Sequence, residues 1–175
     1  MNEVNDVELP DWAENPERYR DALLAVSGGR DPLEILEQTP LRVRALIGGH
    51  AAHALERRPA AGEWTATEII GHLLDDEIVF AFRLRLALTA DQPSYPGNEP
   101  ERWVALPNPP CELLLATWES LRSYNLWLLR GIPRAAWDRV GLHAEQGPET
   151  VEINIRKTAG HDLAHLSQLE FCLLG

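Results

Sequence analysis

The chain has 175 residues, of which 45% are hydrophobic, so one domain with a sizeable core is expected and wholesale disorder is excluded. Its 16 Lys and Arg residues stand against 27 Asp and Glu residues, and the net charge of −11 argues against nucleic acid or an anionic membrane as the main partner. No apolar stretch approaches the roughly 18 residues of a membrane span. The first 14 residues carry five acids and no Lys or Arg, unlike a secretory signal, and the two cysteines are too few for a disulfide scaffold. We therefore expect a soluble, reduced, cytoplasmic protein.

The N-terminal part of the chain contains three helix starts of one type, in which a capping residue precedes a proline. They are Asn15-Pro16, Asp31-Pro32 and Thr39-Pro40. They predict a short helix that ends at Gly28-Gly29, a brief helix at 32–38 and a longer helix from about residue 40 to residue 57. The acidic residues before the first start are expected to be a mobile lead-in.

The next helix start is a capping box, in which Thr65 and Glu68 satisfy each other's end amides. No proline follows until after residue 89, and apolar side chains recur at near-helical spacing from Ile69 to Leu84. The sequence therefore predicts a helix over 65–89.

The following segment, 90–110, contains six prolines and cannot be helical throughout. A loop of this length is expected to be a lid, a binding loop or disordered. Beyond it the pattern predicts a helix at 110–130, a short helical turn at 133–138, a loop at 140–149 and a last helix from about residue 150 to residue 174.

The predicted fold is an all-α four-helix bundle with short extra helices, because four amphipathic helices of roughly 17 to 25 residues bury their apolar faces best against one another. No alternation typical of a strand stands out. We expect residues 1–30 to form an acidic N-terminal extension with a short helix, and residues 31–175 to form the bundle domain.

A pair of histidines on the last predicted helix suggests a metal site. His161 and His165 are four residues apart, so both imidazoles can reach one ion from one face. His72 on the 65–89 helix is the obvious third ligand, and three nitrogens would leave one position open, as in catalytic zinc sites. Asp76, one turn further, could be a fourth ligand or an acceptor that fixes a histidine tautomer, and the alternative is a carboxylate that faces solvent or a neighbouring arginine. The alternative is that these histidines only pack in the core or lie at the surface.

Other residues have both a functional and a structural interpretation. His50 and His53 could form a second site but are more typical of a helix surface or core, and His143 is expected to be exposed in a loop. Cys172 is expected to be a buried, small apolar side chain rather than a reactive thiol. Arg122 would bind an anionic substrate if it faced the metal, and otherwise forms a salt bridge.

The six tryptophans are many for this length. Trp64, Trp118 and Trp127 are expected to anchor the core, whereas Trp103, in the proline-rich segment, is expected to contact a ligand.

At these residues the chain resembles the DinB/YfiT-like family of four-helix-bundle metalloproteins. The stretch from Glu63-Trp64-Thr65 to His72 resembles the family's tryptophan, capping box and histidine at its second helix. The stretches 147–151 and 160–169, with Gln168 after the histidine pair, resemble its last helix. The resemblance covers about residues 33–174. It does not extend to the proline-rich segment or to the N-terminal extension.

The resemblance implies a bundle with long crossover connections and one divalent ion, zinc or nickel, held by His72, His161 and His165. It also implies a small-molecule substrate, with thiol-dependent transferases or isomerases that use a low-molecular-weight thiol as the leading expectation. A metal-binding or stress-related module without turnover and a metal-dependent hydrolase are the alternatives. A homodimer is expected by the same resemblance.

Overall fold

Helices form most of the structure, a computed structural model that describes residues 9–174. The helices are α1 (Pro16–Ser27), α2 (Pro32–Ile47), α3 (Ala52–Leu55), α4 (Ala66–Thr89), α5 (Pro100–Val104), α6 (Cys111–Gly131) and α7 (Val151–Leu174), with a 3-10 turn at Arg134–Asp138. The strands are β1 (Ser94–Tyr95), β2 (Val140–His143) and β3 (Gly147–Thr150). Residues 1–8 of the expected lead-in lie outside the described residues.

The fold is a four-helix bundle of α2, α4, α6 and α7, as predicted. Both α2 and α4 pack against α6 and α7, so α2 lies diagonally opposite α4. The connections 48–65 and 132–150 therefore cross the bundle rather than join neighbours, which agrees with the expected crossover topology. Helix α1 packs on α7. None of the helices within residues 9–174 combines the length and hydropathy needed to cross a lipid bilayer.

The helix starts follow the predicted capping chemistry. Asn15 accepts a hydrogen bond from the Arg18 amide, and Asp31 accepts one from the Leu33 amide. At the start of α4, the Thr65 amide donates to Glu68 Oε2 over 2.7 Å, so the predicted capping box is formed. These caps fix where each helix begins, and hence which residues face the core.

The prediction of two helices at 32–38 and 40–57 was wrong, because α2 continues through Pro40 to Ile47. A proline inside a helix frees the carbonyl four residues earlier, here that of Leu36. Arg122 Nη1 from α6 donates to that carbonyl over 2.8 Å and replaces the missing bond. The remainder of the predicted helix is a bend at His50 and the short helix α3. His50 and His53 are both exposed, in agreement with the structural interpretation.

A small three-stranded sheet was not predicted from the sequence, and two of its strands replace the loop expected at 140–149. Its order is β1-β2-β3, with β1 parallel to β2 and β2 antiparallel to β3. The strands have two to four residues and contain Gly141 and Pro148, so they are too short to show alternation. The sheet ties the 90–110 segment to the β2–β3 hairpin, because β1 pairs with β2 and the Leu142 amide donates to the Pro93 carbonyl. The segment is thus anchored by β1 and α5.

Two apolar clusters fill the bundle and are separated by buried charge. One cluster lies around Trp118 and Ile69, and the other lies around Phe80 and Ile155. Between them is a polar layer, defined here as four side chains that are each at most 2% exposed: Glu77, Arg122, Asn125 and Asp162. Arg122 is therefore a salt-bridge residue of the core, which was one of its two predicted roles.

Tryptophan placement follows the prediction only in part. Trp118 is completely buried. Trp64 is half-buried, against the first apolar cluster. The expectation for Trp127 was wrong, since its side chain is 71% exposed on the outer face of α6. Helical spacing alone gave the wrong face here, because Leu126 and Leu129 point inward instead.

Helix α1 approaches α7 most closely at Gly160. A Cβ atom added to Gly160 would overlap the backbone carbonyl of Leu23, and a backbone cannot move aside as a side chain tip can. We expect Gly160→Ala to lower the free energy of unfolding by about 1–3 kcal/mol, the usual range for overpacking. Urea denaturation followed by circular dichroism measures this effect.

The matched control is Gly131→Ala at the end of α6, where an added Cβ would meet no atom within 4 Å. That variant should be neutral or stabilised by up to about 1 kcal/mol, because alanine is the better helix former. Equal stability of the two variants would contradict the close approach of α1 and α7.

Candidate metal centre

Three histidines from two helices converge at one point of the bundle. His72 comes from α4, and His161 and His165 come from successive turns of α7. One ring nitrogen of each residue can be chosen so that the three atoms lie within 4.8 Å of one another. The Nε2 atoms of His72 and His161 are 3.0 Å apart. The structure therefore brings together all three residues that the sequence analysis selected.

The surrounding packing holds the rings in place. The Trp64 ring stacks on His165 with centroids 6.0 Å apart, and it contacts His72 at 5.0 Å. His72 and His161 are 5% and 6% exposed, and His165 is half-buried. Trp64 comes just before the capping box of α4, so the helix start that the sequence predicts also positions this ring.

Each α7 histidine has a polar partner on its outer nitrogen. His165 Nδ1 lies 2.7 Å from Gln168 Oε1, and with a proton on Nδ1 it donates to that oxygen. His161 Nδ1 lies 3.6 Å from Asp76 Oδ2, beyond a hydrogen bond, and this nitrogen is buried without a hydrogen-bond partner within residues 9–174. The bond to Gln168 fixes the tautomer of His165, and the nearby charge of Asp76 favours a proton on Nδ1 of His161, which leaves Nε2 with its lone pair as in metal-bound histidines of known proteins.

The three histidines are held neutral. Burial, with a smaller contribution from His161, lowers the pKa of His72 to about 3. Burial likewise lowers the pKa of His161 to about 4, against the opposing effect of Asp76, and the pKa of His165 to about 3. Burial raises the pKa of Asp76, but His161, His72 and Arg83 outweigh it, so the pKa is lowered overall. At neutral pH the cluster thus presents lone pairs beside a carboxylate.

The donor set fits a divalent first-row ion. Two ligands at about 2.05 Å in tetrahedral geometry lie about 3.3 Å apart, close to the 3.0 Å between the two Nε2 atoms. Neutral imidazoles suit zinc, nickel and copper, and a neutral set needs no proton to leave before it binds. The Nδ1 atom of His161 has no hydrogen-bond partner among the described residues but lies beside the negative charge of Asp76. A proton on Nδ1 facing a carboxylate is the arrangement expected when Nε2 of the same ring points to a cation.

No fourth protein ligand joins the cluster among the described His, Cys, Asp and Glu side chains. Asp76 contacts Nδ1 of His161, whereas Nε2 of that ring faces His72. Asp76 thus lies beside the outer nitrogen of His161 and not within the cluster of candidate ligand atoms. Cys172 is buried, 3.6 Å from the Trp64 carbonyl, and is absent from the cavity lining described below.

A cavity of about 190 Å³ lies in front of the histidines. It runs between α4 and α7, and its walls include Tyr19 and Leu23 of α1 and, from the proline-rich segment, Asn98, Pro100 and Glu101. Trp12 also lines it and donates from Nε1 to Glu101 Oε1 over 3.1 Å. Trp103 is absent from the lining, so the expectation that it contacts a ligand is not supported, and Trp12 is the tryptophan from outside the bundle that lines the cavity.

The far side of this cavity was not predicted from the sequence. Arg83, His143 and Lys157 all line it, and the expectation of an exposed His143 was wrong, since this residue is 5% exposed on β2. Lys157 is one helical turn before His161, and Arg83 is three turns after His72, so helical periodicity could have found both. No signal in the sequence identifies His143, because it depends on the missed hairpin.

The fold and the cluster together define a helical bundle with a candidate three-histidine metal centre. The model of the DinB superfamily matches residues 35–169. The chain therefore belongs to the DinB superfamily, in agreement with the resemblance seen in its motifs.

Relatives and a solved structure agree with this assignment. A protein of Oceanobacillus iheyensis named "Putative metal-dependent hydrolase" is 31% identical over 111 residues, which cover 62% of this chain and 64% of that protein. A Bacillus cereus protein of the same name is 24% identical over 139 residues, 78% of this chain and 80% of its own. The chain thus spans just under two thirds of the first relative's length.

The fold also matches YfiT from Bacillus subtilis, described as a probable metal-dependent hydrolase with an unusual four-helix bundle topology. The TM-score is 0.75 at 20% identity, with 81% of this chain and 83% of that chain covered. At this identity the match bears on the fold alone.

Proposed function

We propose that the protein is a divalent-metal-dependent hydrolase of small molecules. The observation that carries the proposal is the set of three neutral histidines with no fourth protein ligand in the described residues, facing a cavity. Structural sites close the coordination shell with protein atoms, whereas catalytic sites keep a position free. The relatives named as metal-dependent hydrolases support the same reaction class.

The chain's own residues supply orientation and a proton acceptor. A divalent ion in such a site lowers the pKa of a coordinated nucleophile and polarises a carbonyl oxygen. Asp76 lines the same cavity as an ionised carboxylate, so one of its oxygens can take the proton that a nucleophile loses. Trp64, Leu23 and Phe80 form apolar walls that restrict water around the reacting bond.

Thiol-dependent transfer or isomerisation, the leading expectation from the resemblance, stays the second candidate. The same free position would accept a thiolate. Neither Cys111 nor Cys172 is among the described residues that line the cavity, so the thiol would have to come from a cosubstrate. The expected homodimer and cytoplasmic location remain predictions.

The test compares metal-loaded and metal-free protein on a panel of ester and amide substrates, each with and without added low-molecular-weight thiols. We expect hydrolysis that requires zinc or nickel, needs no thiol and is lost in His165→Ala while the circular dichroism spectrum is kept. The matched control is His53→Ala, which removes an exposed histidine far from the cavity lining.

Each outcome distinguishes the candidates. Turnover only in the presence of a thiol would overturn hydrolysis in favour of transfer. Full metal loading with no turnover on either panel would contradict an enzyme and favour the metal-binding module.

A further inference from the structure

The cavity continues well beyond the histidines. His72, Asp76 and Arg83 share one face of α4, and His161, Lys157 and Asn154 follow in the opposite order along α7. The Cα atoms of residues 72 and 83 are about 16 Å apart along the helix axis. Side chains of a helix lean toward its N-terminus, so Arg83 leans back toward the histidines. Both ends line one cavity, so a ligand of suitable length can touch both.

Arg83 is a buried cation without a carboxylate partner. It is 7% exposed, and within residues 9–174 no Asp or Glu oxygen lies within 4.0 Å of it. Its Nη2 donates to the Pro96 carbonyl over 2.8 Å and to Asn98 Oδ1 over 3.4 Å, and its guanidinium lies 5.3 Å from the Tyr95 ring centroid. Its remaining N–H groups are not engaged by the described residues. Buried arginines otherwise take anionic partners, as Arg122 does in this protein.

His143 adds a neutral donor at the same end. Its Nδ1 accepts hydrogen bonds from the backbone amides of Glu145 and Gln146, each over 3.2 Å, so the ring proton lies on Nε2. No described residue accepts from that Nε2. Burial, Lys157 and Arg83 lower the pKa of His143 to about 3, so it stays uncharged at neutral pH.

Lys157, in contrast, is already satisfied. Its ammonium donates to both Glu149 oxygens, over 2.8 and 2.9 Å, and to Gln146 Oε1 over 2.7 Å. These three acceptors use its three protons, and Glu149 balances its charge. Among the described cavity residues, Arg83 is thus a cation that forms no ion pair, although its charge is close enough to lower the pKa of both Asp76 and Lys157.

We propose that Arg83 and His143 form a carboxylate-binding subsite, which selects substrates that carry one carboxylate away from the bond that reacts at the histidines. Nη1 and Nε of Arg83 have no described acceptor, and a carboxylate that displaces the long 3.4 Å bond from Nη2 to Asn98 would meet the guanidinium through two parallel N–H bonds, with the imidazole N–H as a third donor. A single positive charge favours a monoanion. Glu101 and Glu145, which line the same cavity, oppose anions of higher charge such as a phosphate dianion.

This inference rests on the proposed function only in placing the reacting bond at the histidines. Carboxylate binding at Arg83 and His143 does not require turnover, so the test is a binding experiment. The probes are simple alkanoates of four to six carbons, their amides and their phosphonate analogues, titrated calorimetrically into the full-length protein with and without zinc. We expect the carboxylate to bind about tenfold or more tightly than its amide, and more tightly than the phosphonate. Arg83→Gln should abolish the preference, and His143→Asn should reduce it.

The matched control is Arg102→Gln, which removes the same charge from an exposed position on α5 and should leave the preference intact. Metal content, measured for every variant, must stay unchanged. Equal binding of acid and amide to the wild type, or a preference that survives Arg83→Gln, would overturn the subsite. A preference that survives when no substrate is hydrolysed would retain the subsite and contradict the proposed hydrolase.

Discussion

Replacing Arg122 with methionine is expected to lower the free energy of unfolding by about 3–5 kcal/mol, the usual cost of leaving a buried charge without its partner. Arg122 Nη1 lies 2.6 Å from Asp162 Oδ2, and its Nε lies 2.7 Å from Glu77 Oε2. Methionine keeps most of the side-chain volume but strands both carboxylates in the core. Urea denaturation, with fluorescence and circular dichroism followed together, measures the change.

The Leu36 carbonyl adds to this cost, because Pro40 cannot supply its usual helical partner and Arg122 does so instead. The same substitution should therefore loosen α2 as well as the polar layer. Hydrogen exchange provides a second readout. Relative to the wild type, we expect the variant's amide exchange to speed up more in α2 than in α1.

Arg130→Met is the matched control on the same helix. Arg130 pairs with Glu37 over 3.0 Å, but both side chains are about half exposed. Exposed pairs contribute about 0–1 kcal/mol, so this variant should remain close to the wild type. If Arg122→Met were equally mild, the polar layer would not stabilise the bundle as its burial indicates. Combining Arg122→Met with Glu77→Gln and Asp162→Asn should recover part of the loss, because no charge then remains unpaired.

Replacing Asp76 with asparagine is expected to weaken divalent-metal binding by about 10–100-fold, the usual effect of losing the partner of a metal-bound histidine. Asp76 Oδ2 lies 3.6 Å from His161 Nδ1, and its negative charge favours a proton on that nitrogen. The amide cannot supply this charge, so Nε2 of His161 becomes a poorer donor. Competition with a chromophoric chelator measures the dissociation constants of zinc and nickel.

The neighbouring residue gives a sharp control. Asp75 is one position away but does not line the cavity. Asp75→Asn therefore removes the same charge from the same helical turn and leaves the contact between Asp76 and His161 in place. Its metal affinity should match that of the wild type. Equal weakening in both variants would point to general electrostatics rather than to the contact with His161.

The bundle and the histidine triad could be predicted because each depends on local rules. The capping box at Thr65 and Glu68 sets the start of α4, and the four-residue spacing of His161 and His165 sets a shared face of α7. Bringing His72 to that face requires only that α4 and α7 pack together. The family resemblance supplied this step, since spacing alone left His72 as one choice among several.

The predictions that were wrong concern contacts between residues far apart in the sequence. Pro40 was interpreted as a helix start, because the sequence does not show that Arg122, 82 positions later, satisfies the carbonyl that it frees. His143 was expected to be exposed, because its burial depends on strands too short to show a pattern. Trp127 is exposed because two leucines of α6 take the inward positions.

The central claim, that His72, His161 and His165 bind one divalent ion, is tested most directly by the metal content of tag-free protein measured by mass spectrometry, with His161→Ala prepared alongside. We expect about one divalent ion per chain in the wild type and almost none in the variant, with both proteins folded by circular dichroism. A wild type that holds no metal, even after incubation with zinc or nickel and removal of excess ion, would contradict it and leave the three histidines as packing residues.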